Sequence, residues 1–303
     1  MSMREAKNEV TIEGILSEID LKYGSFQKDG RTIENVGGTI KIRVDKDGQV
    51  NEIPVSMYSN KLTKAGSLNP AYSSIERVMN EYVSIAACGD PNAADCVRIT
   101  RAKITMNEYY SQSGNLVSYP RVQASFVNRI KREELNPKAD FEIEFCIGKM
   151  GYKLDKEGCE TEVFEVQGIV PQWGGKVDVV TFHTASKSVT DVISQAWEPG
   201  ESVYAAGRLN FSSMVEKKIV KMGFGEREET KTVNISELLI SGGDDTPLED
   251  EFAFPENEIQ AGLADRKARL EQAKAAGAAR ASQRRAPAPS NTVTAEKGFD
   301  LGF

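Results

Sequence analysis

Aromatic residues alternate with lysines and arginines along several predicted strands and hairpins of this sequence. An aromatic ring gains about 1–3 kcal/mol by stacking on an unpaired base, and a nearby cation neutralises phosphate, so both must share one face. The candidates in the first half are Lys22, Tyr23, Phe26, Lys41, Arg43, Tyr109, Tyr110, Tyr119 and Arg121. The candidates in the second half are Trp173, Lys176, Phe182, Lys187, Arg208, Phe211, Lys217, Lys218 and Lys221.

These residue types have a second interpretation, because β-sheet cores favour the same aromatic side chains. Trp173 fits a core position less well, since it precedes a Gly-Gly turn, and the adjacent Tyr109 and Tyr110 must point to opposite faces of a strand. The lysines at 217–221 fit a solvated hairpin as well as a phosphate contact. The aromatic pattern alone therefore leaves both interpretations open.

The sequence contains no motif typical of catalysis. It lacks a phosphate-binding glycine loop, a G-x-S-x-G turn and an H-E-x-x-H pair, and its only histidine is His183. The four cysteines form no C-x-x-C pair, so we expect reduced thiols and neither a metal nor a cofactor. We predict that the protein is not an enzyme.

The elements that must position these side chains are mainly strands. Apolar and polar residues alternate between positions 9 and 240, which predicts short antiparallel strands. Apolar residues at helical spacing predict helices over 71–81 and 186–197. The runs 104–110 and 117–126 predict a long protruding hairpin.

The predicted strands repeat in a fixed order. The similar segments are 12–16 with 166–170, 83–87 with 203–206, and 97–100 with 233–236. The order strand, strand, strand, helix, strand, strand predicts a mainly all-β fold of two OB-fold-like Greek-key barrels, each with one helix. Two unrelated β-sandwich segments are the alternative.

The composition divides the chain into three parts. We predict a first OB-like module with the long hairpin at 1–135, a second at 136–243, and a disordered or partly helical tail at 244–303. The tail begins with seven acidic residues and no basic residue over 244–258, and seven basic and two acidic residues follow over 259–287. The tail is therefore segmented by charge.

Paired OB-like modules with a tail that ends in Phe299-Asp-Leu-Gly-Phe303 resemble the single-stranded DNA-binding proteins of replication, especially those of bacteriophages and mobile elements. The resemblance implies that the tail tip docks on replication and repair enzymes, with Asp300 and Phe303 in the main roles. Unlike the bacterial pattern, the main acidic block lies inside the tail. That block could compete with DNA, display Phe252 and Phe254 to a partner, or serve as a linker.

These observations together predict a protein that coats single-stranded DNA without strong sequence preference in replication, recombination or repair and recruits partners through its tail. A net charge of −7 argues weakly against nucleic acid as a partner, although a local basic groove can exist on an acidic protein. We expect a cytoplasmic protein, in a bacterial host if phage-encoded, without membrane contact, and homo-oligomers are compatible with it. A β-barrel structural or virion assembly protein is the alternative. Deletion of 244–303 is expected to leave DNA affinity equal or stronger.

Overall fold

The computed structural model describes residues 3–46, 48–111, 113–221 and 226–285, and within these ranges it describes the side chains outside 213–229, 231–234 and 278–285. The described residues form eleven strands and four α-helices. The fold is mainly β, as the alternating pattern predicts. In the described part of the chain, no helix is long and apolar enough to cross a membrane.

The first barrel, barrel 1, consists of five strands with helical segments between the third and the fourth. Its elements are β1 (Asn8–Lys28), β2 (Arg31–Lys46), β3 (Gln49–Asn60), α1 (Pro70–Glu81), α2 (Ile85–Cys88), β4 (Cys96–Tyr110) and β5 (Leu116–Gln123). β1 pairs with β2 and β4, β2 with β3, and β4 with β5, all antiparallel. The parallel pairing of β3 with β5 closes the circuit. This set of pairings makes barrel 1 an OB-fold.

The second barrel, barrel 2, repeats the same circuit. Its elements are β7 (Lys138–Leu154), β8 (Glu160–Pro171), β9 (Val177–Thr184), α3 (Lys187–Ala196), β10 (Ser202–Lys221) and β11 (Glu226–Gly243), after the short β6 (Asn128–Ile130) and a 3₁₀ turn at Arg132–Glu134. β7 pairs with β8 and β10, β8 with β9, and β10 with β11. β9 and β11 pair in parallel. The prediction of two OB-like barrels, each with a helix after its third strand, is confirmed.

The barrels are joined through their first strands. Residues Asn8 to Glu13 of β1 pair antiparallel with Lys138 to Ile143 of β7, so one sheet runs through both barrels. The buried carboxylate of Glu13 lies 3.1 Å from Arg98 of barrel 1 and 3.2 Å from Lys138 of barrel 2. Burial favours the protonated acid, but the hydrogen bonds from both cations outweigh it and hold the pKa of Glu13 below its usual value.

Alternation along the strands fills the barrels and leaves a polar exterior. In β2, Ile40 and Ile42 are fully buried, whereas Lys41 and Arg43 point outward. Full burial of such an apolar side chain contributes about 1.5–3 kcal/mol. α1 closes one end of barrel 1 with Ile75 and Val78, and the Asn69 side chain accepts a hydrogen bond from the first turn of this helix.

Three details of the predicted repeat are wrong, and one is that residues 97–100 lie in the fourth strand of barrel 1 whereas residues 233–236 lie in the fifth strand of barrel 2. Residues 12–16 belong to the first strand of barrel 1, but residues 166–170 belong to the second strand of barrel 2. Their shared glycines, Gly14 and Gly168, both lie where a neighbour approaches closely: a Cβ would be 2.4 Å from the Arg43 carbonyl oxygen and 2.7 Å from the Phe145 ring, respectively. The likeness therefore reflects local packing rather than topological equivalence.

The third error concerns the segments 83–87 and 203–206, which share an Ala-Ala pair and are both predicted to be strands. In the second half the pair lies in a strand, β10, as predicted. In the first half, Ile85–Cys88 form a single helical turn that ends at Gly89, which adopts the left-handed conformation (φ 75°). Alanine favours helix, and a left-handed glycine stops it after one turn. The segment therefore forms α2 instead of a strand.

The tail contains a long helix, α4 (Glu256–Arg285), that packs on the body. Its N-terminal part buries Ile259, and Gly262 lies so close to the β8–β9 turn that a Cβ would be 2.6 Å from Val177. Before the helix, the Phe254 amide donates to the Ser202 hydroxyl at 2.9 Å. The tail is thus partly helical, as predicted, and residues 254–266 are in contact with the barrels.

Candidate nucleic-acid interface

A groove crosses the outer surface of barrel 1 over β2, β3 and β5. We call it the barrel-1 groove, and it has a volume of about 570 Å³. Its lining residues are Thr39, Lys41, Glu52, Pro54, Ser56, Tyr119, Pro120, Arg121, Phe211, Ser212, Ile235 and Ser236. An OB-fold offers the face of its second and third strands, with the loop between the fourth and fifth, to nucleic acid or oligosaccharide. The groove occupies this face.

The second wall of the barrel-1 groove comes from barrel 2. The β10–β11 hairpin crosses beside β3, and the backbone amide of Phe211 donates to the Asn51 side chain at 3.2 Å. The Phe211 ring is itself largely buried, so it supports the wall and offers little surface for stacking. A cleft with walls from two barrels holds a ligand from two sides.

Arg121 is the principal cation of the groove. Its Nε is buried and has no hydrogen-bond partner among the described residues. Other predicted cations are paired: Lys41 contacts Glu18 at 2.5 Å, and Arg43 contacts Asp45 at 3.0 Å. A buried guanidinium N–H without a partner is costly, and a phosphate oxygen is a suitable acceptor for it.

One half-exposed tyrosine, Tyr119, lines the groove beside this cation, and a second, Tyr58, lies further along β3, outside the lining residues. The hydroxyl of Tyr119 accepts a hydrogen bond from Asn107 at 2.5 Å, which fixes the orientation of a ring that is 42% exposed. Tyr58, 50% exposed, follows Ser56 on the same face of β3, about 7 Å further along the strand. It lies opposite Gly37, where a Cβ would be only 3.0 Å from the ring, so glycine leaves room for the ring to lie against β2.

Tyr58 is a residue that sequence reasoning missed. The alternation of buried Ile53, Val55 and Met57 in β3 places the next residue outward, so the signal was present in the sequence. Thr39, Pro54 and Ser56 were missed as well, because small and polar residues carry no chemical signature of their own.

The corresponding face of barrel 2 carries two carboxylates beside a histidine, and one of them, Glu165, also lies 3.2 Å from Lys153. His183 on β9 lies 3.4 Å from Glu165 on β8 and 3.6 Å from Glu237 on β11. The two barrels can be aligned by their parallel strand pairings, so that Val55 of β3 corresponds to Thr184 of β9, both of which face inward. In this alignment Glu165 of barrel 2 occupies the position of Lys41 in barrel 1. Phosphate is repelled by such a surface.

The barrel-2 face is also covered. The β4–β5 hairpin of barrel 1 and helix α4 lie over it and leave a smaller cavity of about 320 Å³, the barrel-2 groove. Its lining residues are Met106, Ser118, Pro120, Gln167, Val179, Thr181, His183, Ser236, Glu237 and Arg266. Each barrel's last hairpin therefore reaches the other barrel, but among the described residues only the barrel-2 face has a helix across it.

A half-buried carboxylate lies beneath this cover. Asp178 on β9 accepts a hydrogen bond from the Met106 amide at 3.3 Å. Burial raises the pKa of Asp178 above its usual value, although that amide and the positive charges of Arg269 and Arg266 act in the opposite direction. The cover therefore shields part of the barrel-2 face from water.

The remaining candidates of the first half surround the barrel-1 groove at different distances along the strands. Tyr109 is exposed on the same face of the β4–β5 hairpin as Tyr119, whereas Tyr110 points to the other face, where Lys274 of α4 lies 5.8 Å from its ring. Tyr23 contacts α1 instead, donating to Glu76 at 2.9 Å. Lys22 and Phe26 are exposed near the β1–β2 turn, and Lys22 lies 3.1 Å from Asp20.

The candidates of the second half do not converge on one site. Trp173 is 83% exposed, but it lies in the turn between the second and third strands of barrel 2, whereas an OB-fold binds through the loops between strands one and two and between strands four and five. Lys176 shares this turn, Lys187 begins α3, and Arg208 is exposed on β10. The side chains of Lys217, Lys218 and Lys221 lie outside the described residues.

Phe182 is wrong as a stacking residue. Its ring is fully buried between the rings of Phe141 and Phe145, with centroids 5.8 and 5.0 Å away. Inward residues alternate with outward ones on β9, and position 182 faces inward. A base could reach this ring only if the core of barrel 2 opened.

The tail candidates differ among themselves. Phe252 is half-exposed, so its ring is available to a partner. Phe254 is not, since it is buried and the Arg4 guanidinium lies 4.4 Å above its ring. Phe299, Asp300 and Phe303 lie outside the described residues.

The thiols take no part in the groove. Cys88 and Cys159 are exposed, Cys96 and Cys146 are buried, and all four are free. Burial raises the pKa of both Cys96 and Cys146, which makes these thiols less reactive. Among the residues that the structure describes, no group of three or more His, Cys, Asp or Glu side chains is placed to hold a metal ion.

Comparison with solved structures finds distant similarity to single-stranded DNA-binding proteins. A deletion variant of the protein from Thermus aquaticus has a TM-score of 0.44 at 13% identity, covering 83% of this chain and 98% of that chain. The wild-type protein from the same organism has a TM-score of 0.44 at 11% identity, covering 81% and 95%. A replication protein A heterotrimer bound to single-stranded DNA has a TM-score of 0.23 at 7% identity, covering 76% and 49%.

These scores are too low to assign the fold or the function of this chain, and the OB-fold assignment rests on the strand pairings. No curated protein matches the sequence. The YorF family model matches residues 7–276, which is most of the chain. The chain therefore belongs to the YorF family.

Proposed function

We propose that this protein binds single-stranded DNA in the barrel-1 groove. The observation that carries the proposal is the combination of the Arg121 guanidinium, whose Nε has no hydrogen-bond partner among the described residues, with the half-exposed ring of Tyr119 in the groove and that of Tyr58 further along β3. The guanidinium binds a phosphate, and the rings stack on bases.

The preference for single strands follows from the rings. In a duplex the faces of the bases are covered by their neighbours in the stack, so tyrosines on a sheet surface have nothing to stack on. Unpaired bases expose these faces, and every base has one. Binding is therefore tolerant of sequence and suited to coating.

The biological setting is part of the proposal. A stoichiometric coat of this kind serves DNA replication, recombination or repair, and the tail recruits the other proteins. The exposed Phe252 supports this role of the tail, since it follows three acidic residues and projects an apolar ring at the surface.

The test is a titration of fluorescently labelled oligo-dT of about 16 nucleotides, the upper site size of one OB-fold, against a matched duplex. We expect binding to the single strand that weakens as salt rises, and much weaker binding to the duplex. Arg121→Ala should reduce the slope of log K against log salt by about 0.7, the value for one phosphate contact to a single strand.

A wild-type protein that does not bind oligo-dT at low salt, or that binds the duplex equally well, contradicts the proposal. A protein that ignores DNA and instead forms a salt-insensitive assembly would favour a structural role. Arg208→Ala is a matched control, because Arg208 is exposed on β10 but does not line the groove.

A further inference from the structure

Helix α4 contacts the β4–β5 hairpin through an ion pair that is mostly shielded from water. The guanidinium of Arg266 binds the Glu108 carboxylate through two nitrogens, one of them Nε at 3.1 Å from Oε2. The two side chains are 21% and 12% exposed. Planar, two-point pairing of this kind fixes position as well as charge.

The same carboxylate joins both strands of the hairpin. Glu108 lies on β4, and its Oε1 accepts a hydrogen bond from the hydroxyl of Ser118 on β5, at 3.2 Å. About two helical turns after Arg266, Lys274 of α4 lies 5.8 Å from the centroid of the Tyr110 ring. Helix α4 therefore holds the hairpin at two places.

The hairpin has two faces with different tasks. Because side chains alternate along a strand, Glu108, Tyr110 and Ser118 lie on the face toward barrel 2 and α4. Tyr119 and Arg121 lie on the opposite face, in the barrel-1 groove. A restraint on one face thereby fixes the groove residues on the other.

We infer that α4 is a brace for this hairpin and that Arg266 is a positioning residue for single-stranded DNA, acting through Glu108 on Tyr119 and Arg121. The inference rests on the proposed function for its effect on DNA. In this role the tail helix supports DNA binding instead of competing with DNA. Removal of the whole tail should therefore weaken DNA affinity, contrary to the expectation from the sequence.

One substitution distinguishes the brace from a purely electrostatic effect, because the two predict opposite changes in DNA affinity. Glu108→Gln removes a negative charge beside the groove, which by charge alone strengthens DNA binding. The brace predicts the opposite, a loss of about 3- to 10-fold, because the hairpin is released. Arg266→Ala should weaken binding to the same extent, yet leave the salt slope unchanged, since Arg266 contacts no phosphate.

The experiment uses the full chain and four variants: Glu108→Gln, Arg266→Ala, Arg266→Lys and Lys267→Ala. Each is titrated with labelled oligo-dT over a range of salt. Hydrogen exchange of the hairpin amides, residues 104–123, is measured on the same proteins without DNA. Lys267 is the matched control, because it is the next residue on α4, carries the same charge and is exposed.

We expect faster exchange in the hairpin of the Glu108 and Arg266→Ala variants, partial rescue by Arg266→Lys, and wild-type behaviour of Lys267→Ala. Unchanged hairpin exchange overturns the brace whether or not DNA binds. Tighter DNA binding by Glu108→Gln, or a salt slope reduced by Arg266→Ala but not by Lys267→Ala, also overturns it. Absence of oligo-dT binding by the wild-type chain contradicts the proposed function instead, and hydrogen exchange still decides the brace.

Discussion

The two barrels of this chain have the same strand pairings but opposite surfaces on their second and third strands. Barrel 1 carries Lys41 and Arg121 on an open groove. Barrel 2 carries Glu165 and Glu237 around His183, beneath a hairpin and a helix. Duplication of a fold thus does not duplicate a binding site, because only the inward residues are needed to form the barrel and the outward ones are free to differ.

The cover on barrel 2 matches its charge. Arg266 of α4 pairs with Glu108 above the barrel-2 face, and the positive charge of Arg269 also acts on the half-buried Asp178. A basic helix over carboxylates is a stable intramolecular arrangement. The comparison therefore predicts that substitutions in barrel 1 affect DNA binding and that corresponding ones in barrel 2 affect mainly structure.

The largest effect is expected from reversing the charge of the groove. Arg121→Glu should lower oligo-dT affinity by about 100-fold at low salt, since it replaces a phosphate contact with a repulsive charge. Glu165→Lys, the opposite change on the barrel-2 face, should alter affinity by less than about 3-fold. Anisotropy titrations of both variants check this, and a strong gain from Glu165→Lys would break the comparison.

The aromatic rings come next. Tyr58→Ala and Tyr119→Ala should each weaken oligo-dT binding by about 5- to 30-fold, the lower part of the range for one stacked base, and Tyr58→Trp should retain most of the affinity. Trp173→Ala should change affinity by less than about 2-fold, because the indole lies on the β8–β9 turn, outside the groove residues. A larger effect of Trp173 than of Tyr58 would move the site to barrel 2.

A smaller effect, on stability, is expected where the barrels meet. Glu13→Gln should lower the free energy of unfolding by about 2 kcal/mol at neutral pH, because it removes a buried carboxylate paired with Arg98 and Lys138. Since the folded state lowers the pKa of Glu13, its contribution is full above the usual carboxyl pKa.

That contribution is lost as pH falls through the lower pKa of the folded state. Urea unfolding at several pH values measures the difference in the free energy of unfolding between Glu13→Gln and the wild type. A difference that grows on acidification would show that the carboxylate is not stabilised by these cations.

The smallest effect is expected at Asp178. Because burial raises its pKa, ionisation of Asp178 destabilises the fold as pH rises above the usual carboxyl value. Asp178→Asn keeps an acceptor for the Met106 amide and removes the charge, so it should increase stability by up to about 1 kcal/mol at neutral pH and by nothing in acid. Thermal unfolding of the wild type and of Asp178→Asn, at pH 7 and in acid, measures the difference in stability. A strong loss of stability in Asp178→Asn at neutral pH would mean that α4 needs this charge.

The fold could be predicted from the sequence to the extent that it depends on local patterns. The order of strands and helices, the long β4–β5 hairpin and the helices after Asn69 and Ser186 follow from periodicity and capping residues. The repeat was shifted by one strand, because Gly14 and Gly168 meet the same steric demand in strands of different rank.

The site was harder to predict, because a groove is made by residues distant in sequence. Lys41, Tyr119, Arg121 and Phe211 were candidates and do line it, whereas Phe182 faces inward and the outward Tyr58 was missed, although alternation along β3 indicates its direction once Ile53, Val55 and Met57 are taken as buried. The position of α4 was not predictable either, since the ion pair between Arg266 and Glu108 joins residues 158 positions apart.

The most direct test of which barrel binds DNA is photo-cross-linking of the wild-type chain to oligo-dT that carries 5-iodouracil, with the attached residues identified by mass spectrometry. The account predicts cross-links at Tyr58 and Tyr119, with none on the strands around His183. Cross-links concentrated at Trp173 or on β8 and β9, with barrel 1 unmodified, would contradict it.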